Sequence, residues 1–207
     1  MNKSKISVFT RTALLVAIIV IMSFTPLGYL KAGALSITFL TIPVMIGAVT
    51  MGPGVGALLG CAFGLTSFLQ AMWGTSPLGA LMFSVNPILT GVTCIIPRIL
   101  VGFLCGLIFK ALRKIDGKRF WTFIVASFSA PVLNTILFMT SLLACFWNSI
   151  IQTDAGMKIY AVTGNNFVLF ICLFVGVNAI VEAIACTIIG TAISKPLLTV
   201  LEKGSEA

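Results

Sequence analysis

The stretch ILTGVTCIIPRILVGFLCGLIFKAL, Ile88–Leu112, is followed at once by RKIDGKR, Arg113–Arg119. The first part holds Arg98 and Lys110 as its charges and is otherwise apolar or small. It is long enough to cross a bilayer, which takes about 20 residues. The second part is a basic cluster where such a crossing would end. This alternation of apolar run and flanking charge recurs along the chain. Of 207 residues, 59% are hydrophobic and 9% are charged, against about 25% charged in a soluble domain. A soluble fold of this size cannot hide so much apolar surface, so the solvent of this chain is lipid.

Six apolar runs can be marked, at about Val8–Leu27, Ile42–Met51, Val55–Met72, Ile88–Leu112, Phe120–Trp147 and Asn165–Ile193. The expected fold is an all-α membrane bundle of six transmembrane helices, one domain over residues 1–207. The second run is short for a crossing and stops at Gly52-Pro53-Gly54, a turn signal. The third is lined by Gly56, Gly60 and Gly64, a spacing that lets helix backbones approach closely. Tyr29–Thr41, Trp73–Pro87 and Asn148–Gly164 read as loops, and Lys195–Ala207 as a mildly polar tail. The N-terminal run has no small-residue cleavage signal before Pro26 and reads as a retained first helix.

Lys and Arg beside the spans set the orientation. With the N-terminus inside, the cytoplasmic face holds Lys3, Lys5, Arg11, Lys110, Arg113, Lys114, Lys118, Arg119, Lys195 and Lys203; the outer face holds Lys31 and Lys158. That bias requires an even number of crossings and puts both termini in the cytoplasm. Trp73, Trp147, Tyr29 and Tyr160 then lie at the outer interface and Trp121 at the inner one, as aromatic belts do. The net charge of +8 is accounted for by topology, so a nucleic-acid partner is not expected. The six cysteines all sit in apolar runs without a CxxC pair, and the chain has no histidine. They read as small packing residues, not metal ligands or disulfides. No nucleotide-binding loop, GxSxG or paired aspartates occur, so neither catalysis, ATP use nor a cofactor is expected.

Arg98 and Glu182 are the ionisable groups that topology leaves deep in spans, Arg98 roughly 15 Å from the outer end at 1.5 Å per residue. Charge at that depth is costly and marks function by default. Asn134 lies mid-span in the fifth run, and Asn178 lies one helical turn before Glu182, on its face. Two readings stand: a buried ion pair that fixes packing, or a pocket for a small polar ligand. Pro97 before Arg98 and Pro131 before Asn134 free backbone carbonyls near the site or simply kink the helices. Ala13-xxx-Ala17 on the first run is a small-residue pair suited to helix contact.

Taken in order, these segments resemble the substrate-binding S components of energy-coupling factor (ECF) vitamin transporters. The resemblance rests on Ala13-xxx-Ala17, Ile42-Pro43-Val44-Met45-Ile46-Gly47, Met51-Gly52-Pro53, Gly56-Ala57-Leu58-Leu59-Gly60 and Phe63-Gly64-Leu65-Thr66-Ser67. It continues through Ile96-Pro97-Arg98-Ile99-Leu100-Val101-Gly102, Asn134-Thr135 and Asn178-xxx-Glu182-Ala183. It implies a six-helix vitamin binder of the bacterial cytoplasmic membrane, working with a transmembrane T component and two cytoplasmic ATPases. Ala13 and Ala17 would contact the T component. The pocket would open outward under the loops between spans one and two and spans three and four, and the subunit would topple to deliver its cargo. Trp73 and Asn86, in the second of those loops, join Arg98, Asn134, Asn178 and Glu182 as candidate binding residues. Within the family the likeness is to the pantothenate type, with Arg98 suited to a carboxylate and the amides and Glu182 to amide and hydroxyl groups. Folate competes as another anion, and thiamine fits less well. Outside the family, the alternatives are a stand-alone secondary carrier with Glu182 as proton relay, or an accessory subunit.

Overall fold

The computed structural model describes residues 3–26, 28–32, 35–116, 120–164 and 166–206. Helix dominates. The elements are α1 (Lys3–Ser23), strands β1 (Tyr29–Ala32) and β2 (Leu35–Thr38), α2 (Thr41–Met51), α3 (Pro53–Met72), α4 (Pro77–Val85), α5 (Pro87–Asp116), α6 (Phe120–Ile151), α7 (Asp154–Thr163) and α8 (Phe167–Glu206). Five helices are long and apolar enough to cross a membrane: Ile6–Ser23, Pro53–Met72, Pro87–Ile115, Phe120–Ile151 and Ala179–Val200. The second apolar run is a different object. With 11 residues, α2 is only about 16 Å long at 1.5 Å per residue.

Burial explains how so short a helix persists. Every residue of α2 from Thr41 to Val49 is buried, and a helix apolar all round must be enclosed by others. It touches α1, α3, α5, α6 and α8, and so forms the centre around which the long helices stand. Ile42, Met45, Ile46, Ala48 and Val49 pack there with Cys105, Phe109, Phe123, Ala126, Ala130 and Cys186. Gly52, at φ 98°, ends α2 in a conformation that L side chains rarely adopt. Pro53 then opens α3, where its missing N–H costs nothing.

The long helices α3 and α5 approach closely. A Cβ added at Gly56 would overlap the carbonyl oxygen of Gly102, and one at Gly60 the carbonyl oxygen of Arg98. At Gly64 it would come within 2.8 Å of Ile95 Cα. Helix α1 lies outside, held to α3 by polar contacts: Ser23 Oγ donates to Thr66 Oγ1 at 2.9 Å, and Gln70 Nε2 donates to the Ser23 carbonyl.

Four segments differ from the sequence reading. Tyr29–Thr41 is not a loop: Tyr29 pairs with Thr38 and Ala32 with Leu35 in an antiparallel hairpin, so the fold is not purely helical. Trp73–Pro87 contains α4, started by Ser76, whose Oγ accepts from Gly79 N at 3.0 Å, with Pro77 at its first position. Gly, Ser and Pro there act as helix-start residues rather than loop formers. Asn148–Gly164 holds the end of α6, kinked at Phe146 (φ −129°, ψ 19°), and α7, capped by Thr153. The tail is helical through Glu206, with Pro196 inside α8.

Replacing Gly60 by Ala forces α3 away from the α5 backbone and should cost about 1–3 kcal/mol, as overpacking does. Gly54→Ala, where an added Cβ meets nothing within 4 Å, should be near neutral. Thermal unfolding in detergent compares the two; equal midpoints would show that the α3–α5 contact does not limit stability.

Candidate functional site

The deep polar residues come from three helices and one strand. On α5, Pro97 has no N–H to offer its i−4 carbonyl, which is that of Thr93. Arg98 takes that acceptor: its Nη1 donates to Thr93 O at 3.0 Å. Long side chains on a helix lean back toward its N-terminus, so the guanidinium sits a turn closer to the start of α5 than its own Cα. Its Cζ lies 4.1 Å from the ring centroid of Phe138 on α6 and 5.4 Å from that of Phe63 on α3. The cation is thus supported by one backbone carbonyl and two rings. Such contacts are worth up to about 2 kcal/mol each when desolvated.

Glu182, on α8, is as deeply buried as Arg98; each is 6% exposed. Asn134 Nδ2 donates to Glu182 Oε1 at 3.4 Å. The backbone N–H of Thr38, at the end of β2, also faces this carboxyl. One turn further along α8, Cys186 Sγ lies 3.1 Å from Thr41 Oγ1. Among the described residues no ion pair joins Arg98 to Glu182. The two act on one another through space, with Asn134 on the Glu182 side and Phe138, one turn along α6 from Asn134, on the Arg98 side.

The buried side-chain polar atoms without a partner, among the described residues, are Thr93 Oγ1, Arg98 Nε and Asn134 Oδ1. All three fall in this one cluster. Leaving such an atom unpaired costs about 1–3 kcal/mol, and native proteins keep few of them. An arginine N–H, a threonine hydroxyl and an amide oxygen make a mixed set of donors and an acceptor in the same buried region as the Glu182 carboxyl. That set can bind a small molecule carrying both an acidic group and hydrogen-bond donors.

The remaining candidates lie elsewhere. Trp73 caps the end of α3, is 61% exposed, and packs against Phe24 with ring centroids 5.6 Å apart. Asn86 starts α5, its Oδ1 accepting from Ile88 N at 3.0 Å and Leu89 N at 3.2 Å. The Asn178 side chain lies outside the described residues. Ala13 and Ala17 are exposed on α1. Sequence reasoning missed Thr93, Phe138 and Phe63. Thr93 carried a readable signal, standing four residues before Pro97, and Phe138 stands four after Asn134.

Asn134→Leu removes a donor from the buried Glu182 carboxyl and should lower stability by about 1–3 kcal/mol. Adding Glu182→Leu should recover part of the loss, since two apolar groups replace a stranded one. Thermal unfolding of single and double variants measures this; a double variant less stable than Asn134→Leu would refute the coupling.

The family described as "ECF transporter, substrate-specific component" matches residues 8–194. A protein of Lactococcus lactis subsp. cremoris named pantothenic acid transporter PanT is 29% identical, over 96% of this chain and 97% of its own length. A pantothenate transporter PanT of Leuconostoc mesenteroides subsp. mesenteroides is 28% identical over 98% of both. With five membrane-length apolar helices and a family match over most of its length, the chain belongs to the substrate-specific components of ECF transporters and is a multi-pass protein of the cell membrane.

Proposed function

We propose that this chain is the pantothenate receptor of an ECF transporter, binding the vitamin with high affinity so that partner subunits can drive its uptake with ATP. The observation that carries the reading is that the three unpartnered buried polar atoms among the described residues all belong to the Arg98–Asn134 cluster. The relatives' names, pantothenic acid and pantothenate transporter, supply the ligand. Pantothenate has a carboxylate at one end, hydroxyls at the other and an amide between. Arg98 is the anchor for the carboxylate, as a guanidinium fork matches it in two bonds. Asn134, Glu182 and Asn178 serve the amide and hydroxyls. Folate and other vitamins are the competing ligands within the family.

In this reading residues 1–207 form one binding unit with six crossings and both termini in the cytoplasm. Helix α2 provides the sixth crossing. It can be short because protein, not lipid, surrounds it. The bias of Lys and Arg toward the loop after α5 and the two ends supports that orientation. The partners are a transmembrane T component, met through Ala13 and Ala17 on the exposed side of α1, and two cytoplasmic ATPases. Trp73 and Asn86 sit in the segment between α3 and α5 on the outer side and act there as part of the cover rather than as first contacts.

Purified protein should bind pantothenate without ATP, and Arg98→Ala should abolish the binding. Calorimetry showing undiminished affinity in that variant would remove Arg98 as anchor. Accumulation by vesicles holding only this chain, driven by a proton gradient, would favour a secondary carrier using Glu182. The topology has its own check. A fluorescent reporter that matures only in the cytoplasm should be bright when fused after Ala207 and dark when inserted between α3 and α4; the reverse pattern would overturn the orientation.

A further inference from the structure

We propose that Thr93 is a ligand-contacting, specificity-determining residue, its hydroxyl and the Arg98 Nε forming a donor pair for a single carboxylate. The inference rests on the acidic ligand proposed above and adds a residue to its recognition. The starting point is what Thr93 does not do. A threonine inside a helix commonly turns its hydroxyl back to the i−4 carbonyl. Thr10, Thr12, Thr50 and Thr187 do so here, at 2.6–3.0 Å. Thr90, one turn before Thr93 on the same helix, donates to Asn86 O at 2.9 Å. Thr93 is 0% exposed, yet its Oγ1 has no partner.

The second observation is what is brought to Thr93. Pro97 withholds the N–H that would have used the Thr93 carbonyl, and Arg98 Nη1 occupies it at 3.0 Å. That bond ties the guanidinium to the residue whose hydroxyl is free. With Nη1 engaged, Nε on the other edge of the head is the enclosed donor that still lacks an acceptor. The rings of Phe138 and Phe63 line the neighbourhood, and neither can accept a hydrogen bond in the plane of the guanidinium. A carboxylate accepts at two oxygens, several bonds in all. One taken from Nε–H and one from the Thr93 hydroxyl satisfy both orphans together. An alcohol in the same place cannot be recognised as strongly, because the bond to an ionised acceptor is the stronger kind.

The test compares Thr93→Val, which keeps shape and removes the hydroxyl, with Thr93→Ser, which keeps the hydroxyl. The ligands are pantothenate and pantothenol, its analogue with an alcohol in place of the carboxylate. Thr93→Val should weaken pantothenate binding roughly ten- to a hundredfold, the loss of one bond to a charged group, and leave the weaker pantothenol binding within about twofold. Thr93→Ser should restore most of the pantothenate affinity. In the ligand-free protein, Thr93→Val should unfold at the same or a higher temperature, since an unpaired buried hydroxyl is removed; a merely structural role would lower it. Unchanged pantothenate affinity in Thr93→Val, or equal loss for both ligands, overturns the role of Thr93 alone. Absence of pantothenate binding to the unsubstituted protein overturns the parent reading and this one with it.

Discussion

The contact on which both fold and site depend is that of Gly60 on α3 against the backbone of Arg98 on α5. No side chain fits between them. In lipid, where apolar surface gains nothing by leaving one helix for another, close backbone approach supplies much of the packing energy. Here it does more. Phe63 stands three residues after Gly60, so the approach of the two helices is what brings its ring to within 5.4 Å of the Arg98 head. From the other side α6 contributes Phe138. A deep arginine is tolerable only where something receives its charge, and the glycine contact delivers part of that reception.

Helix α2 imposes the second constraint. Its short, wholly apolar cylinder is enclosed by the long helices, and its start, Thr41, reaches Cys186 on α8. Because the hairpin leads directly into α2, burying α2 also fixes where β2 ends. That end presents the Thr38 N–H to Glu182. The hydrophobic centre and the polar cluster are thus positioned by the same chain segment. Disturbing the packing of α2 would move the partners of Glu182, even though α2 contributes no charged group of its own.

Much of this was legible in the sequence, and the reasons are physical. Charge and unpaired amides are so costly in an apolar bundle that Arg98, Glu182 and Asn134 stand out without any fold. Glycines at Gly56, Gly60 and Gly64 declare a helix contact because the spacing has few other uses. The short second run declared its length, though not that it is enclosed. What escaped was set by local capping or by tertiary context. Ser76-Pro77 and Thr153-Asp154 look like loop sequence but begin helices, and the hairpin has no Asn-Gly or Asp-Gly signature. Thr93 is an ordinary apolar-span threonine until Pro97 is read together with it. Trp73 and Asn86 were drawn from the segment between α3 and α5 as a whole, and the structure employs one as an exposed aromatic and the other as a cap.

In the proposed reading, the separation of Arg98 from Glu182 sets what the site can take. Had the two charges paired directly, a ligand carboxylate could reach the guanidinium only by displacing Glu182. Breaking a buried pair typically costs about 3–5 kcal/mol, and that cost would be subtracted from every binding event. Instead the arginine rests on a proline-freed carbonyl and aromatic rings, and the glutamate on an amide and a backbone N–H. Neutral groups hold each charge, at some expense in stability, as the orphaned atoms attest. The bundle is left with a guanidinium end and a carboxyl end that are not paired with one another. A molecule with its acid at one end and its donors at the other matches that polarity without breaking anything. In the proposed reading the ligand class follows from how the two groups are kept apart, not from their mere presence.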